Sequence, residues 1–484
     1  MDGEDKVMAD TTPLLALSRR RRVGILSICC MSLFIVGLDN TIVNVALPSI
    51  ERFFHSSVSG LQWSVDAYTL VLASFLMLSG STADRIGRRR TFQTGLLLFS
   101  LGSLACSLSP NLGSLVGFRM LQAIGGSMLN PVALSIITNT FTDPKERAQA
   151  IGIWGGVVGV SMALGPILGG ALVTSVGWQS IFWINVPIGV AALILAGRFI
   201  PESRADHARK VDPLGQGLIV IFLGTLTYGI IQGPGDGWTS PTELMVFATS
   251  IVSLVLLVVA EMHRSEPLID LRFFRSIPFP GATFVAIGAF ISLSGFLFLN
   301  TLYLQSVRGL SPLSAGIDTL PMAAMSIVCS PISGRIVGSR GPRISLIIGG
   351  VGLGLGSLFL ITLSASTPFS YLFIAYVIFG IGFGFINAPI TNTAISGMPR
   401  AQAGVAAAVA STSRQVGQSL GVAIVGALAA VGSGTLIGRG FTTSTHSSWT
   451  VMVAIGAGIV ILGFATTTPW AKQTAVKTAE RFGR

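Results

Sequence analysis

The 484-residue sequence predicts an all-α membrane protein, and three observations support this fold class. First, 51% of the residues are hydrophobic and only 11% are charged, whereas about a quarter of a soluble domain is charged. Second, apolar segments long enough to cross a bilayer recur along the chain, and the mean hydropathy is +0.74. Third, the basic residues lie almost entirely in alternate connections between these segments, as in a protein that crosses a membrane many times.

The apolar segments predict fourteen membrane-spanning helices, because a bilayer core requires about 20 apolar residues in a helix. The first segment carries Asp39, continues to Pro48 and has no clear small-residue cleavage site, so we expect a retained span rather than a signal peptide. The predicted spans are 23–49, 59–81, 91–108, 112–135, 148–173, 179–200, 212–231, 244–260, 279–303, 311–334, 343–363, 368–390, 402–431 and 447–469.

The basic residues predict the orientation of these spans. With a cytoplasmic N-terminus, 26 of the 31 Lys and Arg residues lie on the cytoplasmic side, and only Arg52, Arg308 and Arg439 lie on the other. We therefore expect a multi-pass protein of the cell membrane with both termini in the cytoplasm. The net charge of +11 follows from this topology and from contact with anionic lipid, so no nucleic-acid partner is expected.

The connection between the second and third spans, residues 80–90, places a carboxylate at the end of one span, followed by a glycine turn and a cluster of arginines. This turn resembles the signature loop of the major facilitator superfamily of secondary transporters. The resemblance implies a conformational lock, in which Asp84 pairs with an arginine or a helix N-terminus of the other half of the protein. The predicted lock residues are Gly80, Asp84, Arg85, Gly87, Arg88 and Arg89.

A diverged copy of this turn appears at Gly334–Arg343, with Gly338 in the place of Asp84. The first copy ends the second span and the second copy ends the tenth. In two homologous six-helix bundles it would end the eighth, so we predict a major facilitator fold with two additional helices between the halves and 14 transmembrane helices in all. The predicted divisions are a tail at 1–22, a six-helix bundle at 23–200, a linker with the two extra helices at 201–278, a second six-helix bundle at 279–470 and a tail at 471–484.

Further stretches resemble the fourteen-span drug:proton antiporter branch of this superfamily. They are residues 38–48 in the first span, Arg119–Gln122 in the fourth, Gly165, Pro166, Gly169 and Gly170 in the fifth, residues 178–189 around the sixth, and Arg414–Gly417 in the thirteenth. Residues 63–72 resemble the exporters of quaternary ammonium compounds, which carry an acid in this span. The glycines of the fifth span predict tight packing against a neighbouring helix, and the antiporter resemblance implies that this packing prevents leak.

Three acidic residues, Asp39, Asp66 and Asp318, lie well inside spans, where an ionised carboxylate costs roughly 2.5–3.5 kcal/mol. Desolvation favours the protonated form, so a proton and a cationic substrate can compete for one charge, as an antiporter requires. Counted along their helices, these acids and Arg119 lie at similar depths below the outer surface. We therefore predict a proton-coupling layer of these four residues in the outer half of the membrane. For Arg119, the resemblance implies a proton-relay role.

Each of these residues also has a structural interpretation. Asp39 and Arg119 could satisfy the backbone of neighbouring helices, and Asp66 could stay hydrated near the outer interface. Arg414 is a further buried charge without an assigned role. Membrane interfaces recruit Trp and Tyr without any ligand, which is the alternative for the aromatic candidates. The candidate substrate contacts are Asp66, Trp63, Tyr68, Trp154, Phe182 and Asn44.

The leading hypothesis is a proton-coupled efflux antiporter that exports lipophilic, cationic drugs or antibiotics by alternating access. The alternative is export of an endogenous metabolite, antibiotic, siderophore or lipid by the same fold, and a third hypothesis is a membrane receptor or structural protein. Nothing in the sequence indicates an enzyme, a cofactor or a metal site, because it has no nucleotide-binding loop and its four histidines lack metal-ligand spacing. The expected partners are a small-molecule substrate, protons and the bilayer, and we expect a monomer.

Overall fold

The computed structural model describes residues 18–205, 212–264, 270–396, 400–433 and 441–482. Within these ranges the chain forms helices and short turns, with one 3₁₀ segment (Leu271–Arg275), one π turn (Tyr303–Val307) and no β-strand. The predicted all-α class is confirmed. The α-helices are α1 (Arg19–Phe54), α2 (Val58–Ile86), α3 (Arg88–Ser107), α4 (Leu112–Thr140), α5 (Pro144–Ser175), α6 (Ser180–Trp183), α7 (Asn185–Phe199), α8 (Pro213–Asp236), α9 (Pro241–Met262), α10 (Pro278–Leu302), α11 (Pro312–Asp318), α12 (Leu320–Arg340), α13 (Arg343–Ile361), α14 (Phe369–Ile395), α15 (Arg400–Ser433), α16 (Phe441–Ser444), α17 (His446–Ala465) and α18 (Pro469–Phe482).

Capping residues determine where several helices begin. The Ser57 side chain accepts a hydrogen bond from a backbone N–H in the first turn of α2, and Asn111 forms a capping box with Ser114 at the start of α4. Between α2 and α3 the chain turns at Gly87, whose φ of +125° is a conformation that larger residues rarely adopt. We call the end of the molecule that carries Arg88–Arg90 the basic end and the opposite end the far end.

Twelve segments of the described helices are long and apolar enough to cross a membrane. The short helices α6 and α7 together form one of these segments, and α11 and α12 form another. The helices α3 and α15, of 20 and 34 residues, occupy the places of the predicted third and thirteenth spans but are not among the twelve. The count of fourteen therefore stays a prediction.

Glycines let neighbouring helices approach closely in both halves of the chain. A Cβ atom added to Gly125 on α4 would lie 2.3 Å from the backbone nitrogen of Phe99 on α3. A Cβ atom added to Gly382 on α14 would lie 2.4 Å from the backbone nitrogen of Leu353 on α13. The α3–α4 and α13–α14 pairs hold corresponding places in the two predicted bundles, so the same close packing occurs in each half, as an internal repeat predicts.

The helices α8 and α9 form a hairpin, residues 213–262, which we call the accessory hairpin. Its helix α8 packs beside α2 and α15 through an apolar cluster that includes Leu70, Ile219 and Val416. Gln216 on α8 also donates a hydrogen bond from Nε2 to the backbone oxygen of Ser74 on α2 (2.5 Å). The helices α8 and α9 occupy the place of the two predicted extra helices, and α8 lies against the bundles. The predicted count of fourteen and the division boundaries stay predictions.

The two halves of the chain contact each other at the far end. Gln62 on α2 donates hydrogen bonds from Nε2 to the backbone oxygens of Val422 (3.1 Å) and Ala423 (3.0 Å) on α15. Gln305, in the π turn after α10, donates from Nε2 to the backbone oxygen of Val45 on α1 (2.8 Å). We call Gln62 and Gln305 the far-end clasp, because their side chains join the halves directly.

Close backbone packing also seals the far end. A Cβ atom added to Gly170 on α5 would lie 2.6 Å from the backbone of α11, and one added to Gly316 on α11 would lie 2.2 Å from the backbone oxygen of Pro166. Toward the basic end, a Cβ atom added to Gly155 on α5 or Gly338 on α12 would meet no heavy atom within 4 Å. The backbones of the two halves are therefore in close contact at Gly170 and Gly316, at the far end, and not at Gly155 or Gly338.

Candidate functional site

The centre of the candidate site is a buried ion pair between Asp39 on α1 and Arg119 on α4. Nη1 of Arg119 lies 2.5 Å from Oδ2 of Asp39, and both residues are at most 1% exposed. Burying two charges is costly unless further hydrogen bonds satisfy their remaining polar atoms. The sequence predicts that these two residues lie at the same depth below the outer surface, and in the structure they are in direct contact.

Three neutral polar side chains complete this pair, and we call the five residues the Asp39 network. Gln122 and Asn185 both donate to Oδ1 of Asp39, from Nε2 at 2.8 Å and from Nδ2 at 3.2 Å. The Ser103 hydroxyl oxygen accepts from the same two amides, and Gln122 Oε1 accepts from Arg119 (2.8 Å). Helices α1, α3, α4 and α7 thus each place a side chain in one buried network.

Three residues of this network, Ser103, Gln122 and Asn185, are not predicted as site residues from the sequence. Gln122 is three residues after Arg119, a spacing that places two side chains on the same face of a helix, so its proximity to the pair was predictable. Asn185 and Ser103 come from helices whose contact with α1 and α4 depends on the tertiary fold. An isolated polar residue in an apolar span is the sequence signal that would have identified them.

Tyr68 and Phe182 lie around the arginine rather than in an open cavity. The guanidinium carbon of Arg119 lies 4.2 Å from the centre of the Tyr68 ring and 5.8 Å from that of Phe182, so both rings can stabilise the cation. Gly126 on α4 leaves room for the phenol, because a Cβ atom there would lie 2.8 Å from the Tyr68 hydroxyl. Both aromatic residues, predicted as substrate contacts, are completely buried in this arrangement.

Asp66 lies on a different face of α2 from the Asp39 network. It is two residues before Tyr68, which corresponds to about 200° around a helix. Gln62 and Leu70, one turn before and after Asp66, contact α15 and the cluster with α8. Asp66 therefore faces the seam between α2, α8 and α15. It is fully buried and has no ion-pair partner among the described residues, and the nearby Thr69 hydroxyl donates to the Asp66 backbone oxygen (3.3 Å).

Asp318 and Arg414, the remaining predicted charges, lie in the second half of the chain. Asp318 ends α11, is half-buried and experiences the attraction of Arg308. Arg414 on α15 donates from Nη2 to the Thr391 hydroxyl (2.6 Å) and has no ion-pair partner among the described residues. The single predicted layer thus consists of separate sites: the Asp39–Arg119 pair, Asp66 in the seam and Asp318 in the other half.

The other candidate substrate contacts are Trp154, Asn44 and Trp63, and two of them have a polar atom without a partner. The Trp154 indole nitrogen on α5 and the Asn44 Oδ1 on α1 have no hydrogen-bond partner among the described residues. Asn44 lines a small cavity between the halves together with Asn300 and Gln305. The Trp63 ring contacts Tyr228 of the accessory hairpin, with ring centres 6.1 Å apart.

The predicted lock at the basic end makes its contacts within the first half. Asp84 pairs with Arg88, one turn along the same connection, at 3.1 Å. The N-terminus of α3 is capped by Glu202, whose carboxylate accepts from the backbone N–H groups of Arg89 (3.0 Å) and Arg90 (3.3 Å). The sequence does not predict the role of Glu202, and the lock motif implies a partner for Asp84 in the other half. Among the described residues, the ion-pair partner of Asp84 is Arg88 of the same half, so the predicted contact with the other half is not formed in this structure.

The glycines of the predicted antiporter motif pack α5 against two helices. A Cβ atom on Gly165 would lie 2.0 Å from the Thr41 hydroxyl oxygen on α1, and one on Gly169 would lie 2.7 Å from the Ile42 side chain. Gly170 and Pro166 instead contact α11 across the halves. Among the described residues, no group of three or more His, Cys, Asp or Glu side chains is arranged to hold a metal ion.

Comparison with curated proteins shows relatives across most of the chain. The Multidrug resistance protein Stp of Mycobacterium tuberculosis is 38% identical over 400 residues, which cover 83% of this chain and 74% of that protein. The Tetracenomycin C resistance and export protein of Streptomyces glaucescens is 37% identical over 421 residues (87% and 78%). The Multidrug efflux pump LfrA of Mycolicibacterium smegmatis is 32% identical over 417 residues (86% and 82%).

Solved structures share the fold at low sequence identity. A bacterial homolog of the human lysosomal transporter Spinster, in an inward-facing and unoccupied conformation, superposes with a TM-score of 0.66 at 20% identity and covers 96% of this chain and 99% of its own. A D-xylose-proton symporter gives 0.66 at 15% identity (92% and 97%). The sequence profile of the Major Facilitator Superfamily matches residues 29–422. This chain, with its two contacting helical halves and its signature turn at residues 80–90, belongs to the Major Facilitator Superfamily.

Proposed function

We propose that this protein exports lipophilic, cationic drugs or antibiotics in exchange for protons by alternating access. The observation that carries the proposal is the fully buried Asp39–Arg119 pair, which gives a membrane protein an ionisable acid shielded from water. The names of the relatives, which refer to multidrug resistance and antibiotic export, support the substrate class. The protein would act as a monomer, because two halves of one chain supply the alternating contacts.

Proton binding at Asp39 would change the whole network. The ionised carboxylate accepts hydrogen bonds from Arg119, Gln122 and Asn185. A proton added to Asp39 removes the negative charge and converts one of its oxygens from an acceptor into a donor. Arg119 then loses its counter-ion inside a low-dielectric interior, where that loss is costly. The helices that carry these side chains would therefore repack, and this repacking couples protonation to the orientation of the bundle.

Asp66 would contribute a second ionisable position, at the seam where the halves meet. It lies one turn from the Gln62 clasp residue, so its charge would act directly on the contact between α2 and α15. A buried carboxylate without a charged partner must be protonated or balanced by a cation. This position suits either a proton or a positively charged substrate, which is the competition that an antiporter requires.

Orientation follows from the charge distribution, and it can be tested by labelling single cysteines. We expect an impermeant maleimide added to intact cells to label Gly235→Cys and Ser311→Cys but not Arg89→Cys, because the basic end would face the cytoplasm. Permeabilised cells serve as the control, since all three positions should then react. Labelling of position 89 in intact cells would reverse the proposed topology.

The transport reaction itself can be tested in proteoliposomes with an imposed proton gradient. We expect the gradient to drive accumulation of a fluorescent lipophilic cation. Asp66→Asn should reduce this rate by about tenfold or more, since losing about 1.4 kcal/mol of charge interaction corresponds to a factor of ten. Transport of a neutral drug should change little.

Asp84→Asn is the matched control for Asp66→Asn, because Asp84 lies in the predicted lock and outside the seam. It should slow the transport of all substrates alike, because it shifts the balance between the inward-open and outward-open states. A selectivity change from Asp84→Asn together with a uniform loss from Asp66→Asn would contradict the assignment of these two acids.

The alternative function is export of an endogenous metabolite or antibiotic by the same fold. One relative is named for both resistance to tetracenomycin C and its export, and this name supports the alternative. A resistance profile of cells that express the protein, measured with cationic dyes, neutral antibiotics and anions, separates the two. Protection against several unrelated cations supports multidrug export, whereas protection against one compound supports a dedicated exporter.

A further inference from the structure

The accessory hairpin contains a buried acid that the transport mechanism above does not use. Glu243 lies in the first turn of α9, where its backbone N–H donates to the Ser240 hydroxyl oxygen. Its side chain is completely buried, and neither carboxylate oxygen has a hydrogen-bond partner among the described residues. Burying an ionised carboxylate without a partner costs free energy. The surroundings of Glu243 therefore determine whether its carboxyl group is protonated or ionised.

Two glycines of α8 create the space for this acid. A Cβ atom added to Gly229 would lie 3.2 Å from Oε2 of Glu243 and 2.9 Å from the Phe247 ring. A Cβ atom added to Gly233, one turn later, would lie 2.6 Å from the Trp238 ring. The rings of Trp238 and Phe247 stack with centres 6.4 Å apart. Glu243 and the two rings therefore fill one groove along α8.

The charged groups around this groove do not balance an ionised Glu243. On α8, the nearest charge is the exposed Asp236, which has the same sign, and Tyr228 turns its ring toward Trp63 of α2. The connection between α8 and α9, residues 237–240, has no ionisable side chain. On α9 itself, the next acid is Glu261 at the basic end, about 27 Å away along the helix axis.

We propose that Glu243 is a proton-binding site of the accessory hairpin, and that Trp238 and Phe247 form a cap that closes when the site is protonated. A proton is the ligand that fits, because the carboxylate oxygens are shielded from solvent and no described cation contacts them. When Glu243 loses this proton, its charge requires water, and the cap must open to admit it. The site goes beyond the proposed export function and does not depend on which substrate the protein carries.

Quenching of tryptophan fluorescence tests the cap in the purified full-length protein in lipid nanodiscs. The signal of Trp238 is obtained as the difference between the wild type and Trp238→Phe. Trp238 is 45% exposed with the cap closed, so we expect its quenching by iodide to rise about twofold through a single transition as the pH increases. Glu243→Gln should hold the quenching of Trp238 at its low-pH level at every pH.

Asp236→Asn is the matched control, because it changes the neighbouring exposed acid and leaves the groove intact. It should retain the transition, because Glu243 and the groove around it are unchanged. A transition that persists in Glu243→Gln would overturn the proposal.

A second measurement on the wild type keeps the proposal testable even if Glu243→Gln does not fold. A hydrophobic carbodiimide reacts with protonated carboxyl groups in apolar surroundings, and peptide mass spectrometry locates the adduct. We expect an adduct on Glu243 at low pH that declines through the same transition, and no adduct on Asp236. Absence of a Glu243 adduct at all pH values would refute the site, and it would do so whether or not the protein exports drugs.

Discussion

Replacing Asp39 with asparagine should abolish proton-driven export, while the variant still inserts into the membrane. An asparagine cannot ionise, so position 39 could no longer take up or release a proton. The substitution also leaves Arg119 buried without its counter-ion, which costs about 3–5 kcal/mol. We expect gradient-driven transport of a lipophilic cation to fall to the level of protein-free liposomes and the melting temperature to fall as well.

A double variant separates coupling from stability. Asp39→Asn combined with Arg119→Gln removes both buried charges, so much of the lost melting temperature should return. Proton-driven export should stay absent, because no acid remains in the network. Asp39→Glu, which retains an ionisable group, should keep measurable activity. Wild-type export by the Asp39→Asn single variant would exclude Asp39 as the coupling site.

Replacing Gly316 with valine should hold the far end open. A Cβ atom at this position would already lie 2.2 Å from the Pro166 backbone oxygen, so the closed contact between α11 and α5 cannot form without a shift of the backbone. Overpacking of this kind costs about 1–3 kcal/mol, which corresponds to a shift of about 5- to 150-fold in the balance between closed and open far ends. Transport of every substrate should therefore slow together.

Cysteine accessibility measures this change directly. Thr301 lines the small cavity between the halves and is 8% exposed. Thr301→Cys should react slowly with an impermeant maleimide from outside in the parent protein and at least several-fold faster in Gly316→Val. Gly338→Val is the control, because a Cβ atom at Gly338 meets nothing within 4 Å. Equal labelling rates in all three proteins would show that Gly316 does not seal the far end.

The sequence was sufficient for the class of fold and for part of the site. Length, hydropathy and charge predict helices that cross a membrane, because these properties act locally along the chain. The sequence predicts that Asp39 and Arg119 lie at the same depth in the membrane, which allows them to contact each other. The direction in which Asp66 points was not predictable. Two residues of separation turn a side chain to nearly the opposite side of a helix, and the depth of a residue does not indicate its direction.

Residues that act through tertiary contacts could not be located from the sequence. Glu202 caps α3 from a segment more than 100 residues away. Asn185 and Ser103 reach Asp39 only because α3 and α7 pack beside α1. Glu243 is close to the start of its predicted span, where an acid ordinarily remains hydrated, and its burial arises from Trp238 and the glycines of α8.

All five side chains of the Asp39 network belong to the first half of the chain, and none comes from beyond residue 185. The candidate substrate contacts Asn44, Trp63, Asp66 and Trp154 also lie in this half. Under the proposed function, the choice of compound and the use of the gradient are therefore encoded in the same part of the gene. Recombination between related exporters near the accessory hairpin would then transfer both traits together.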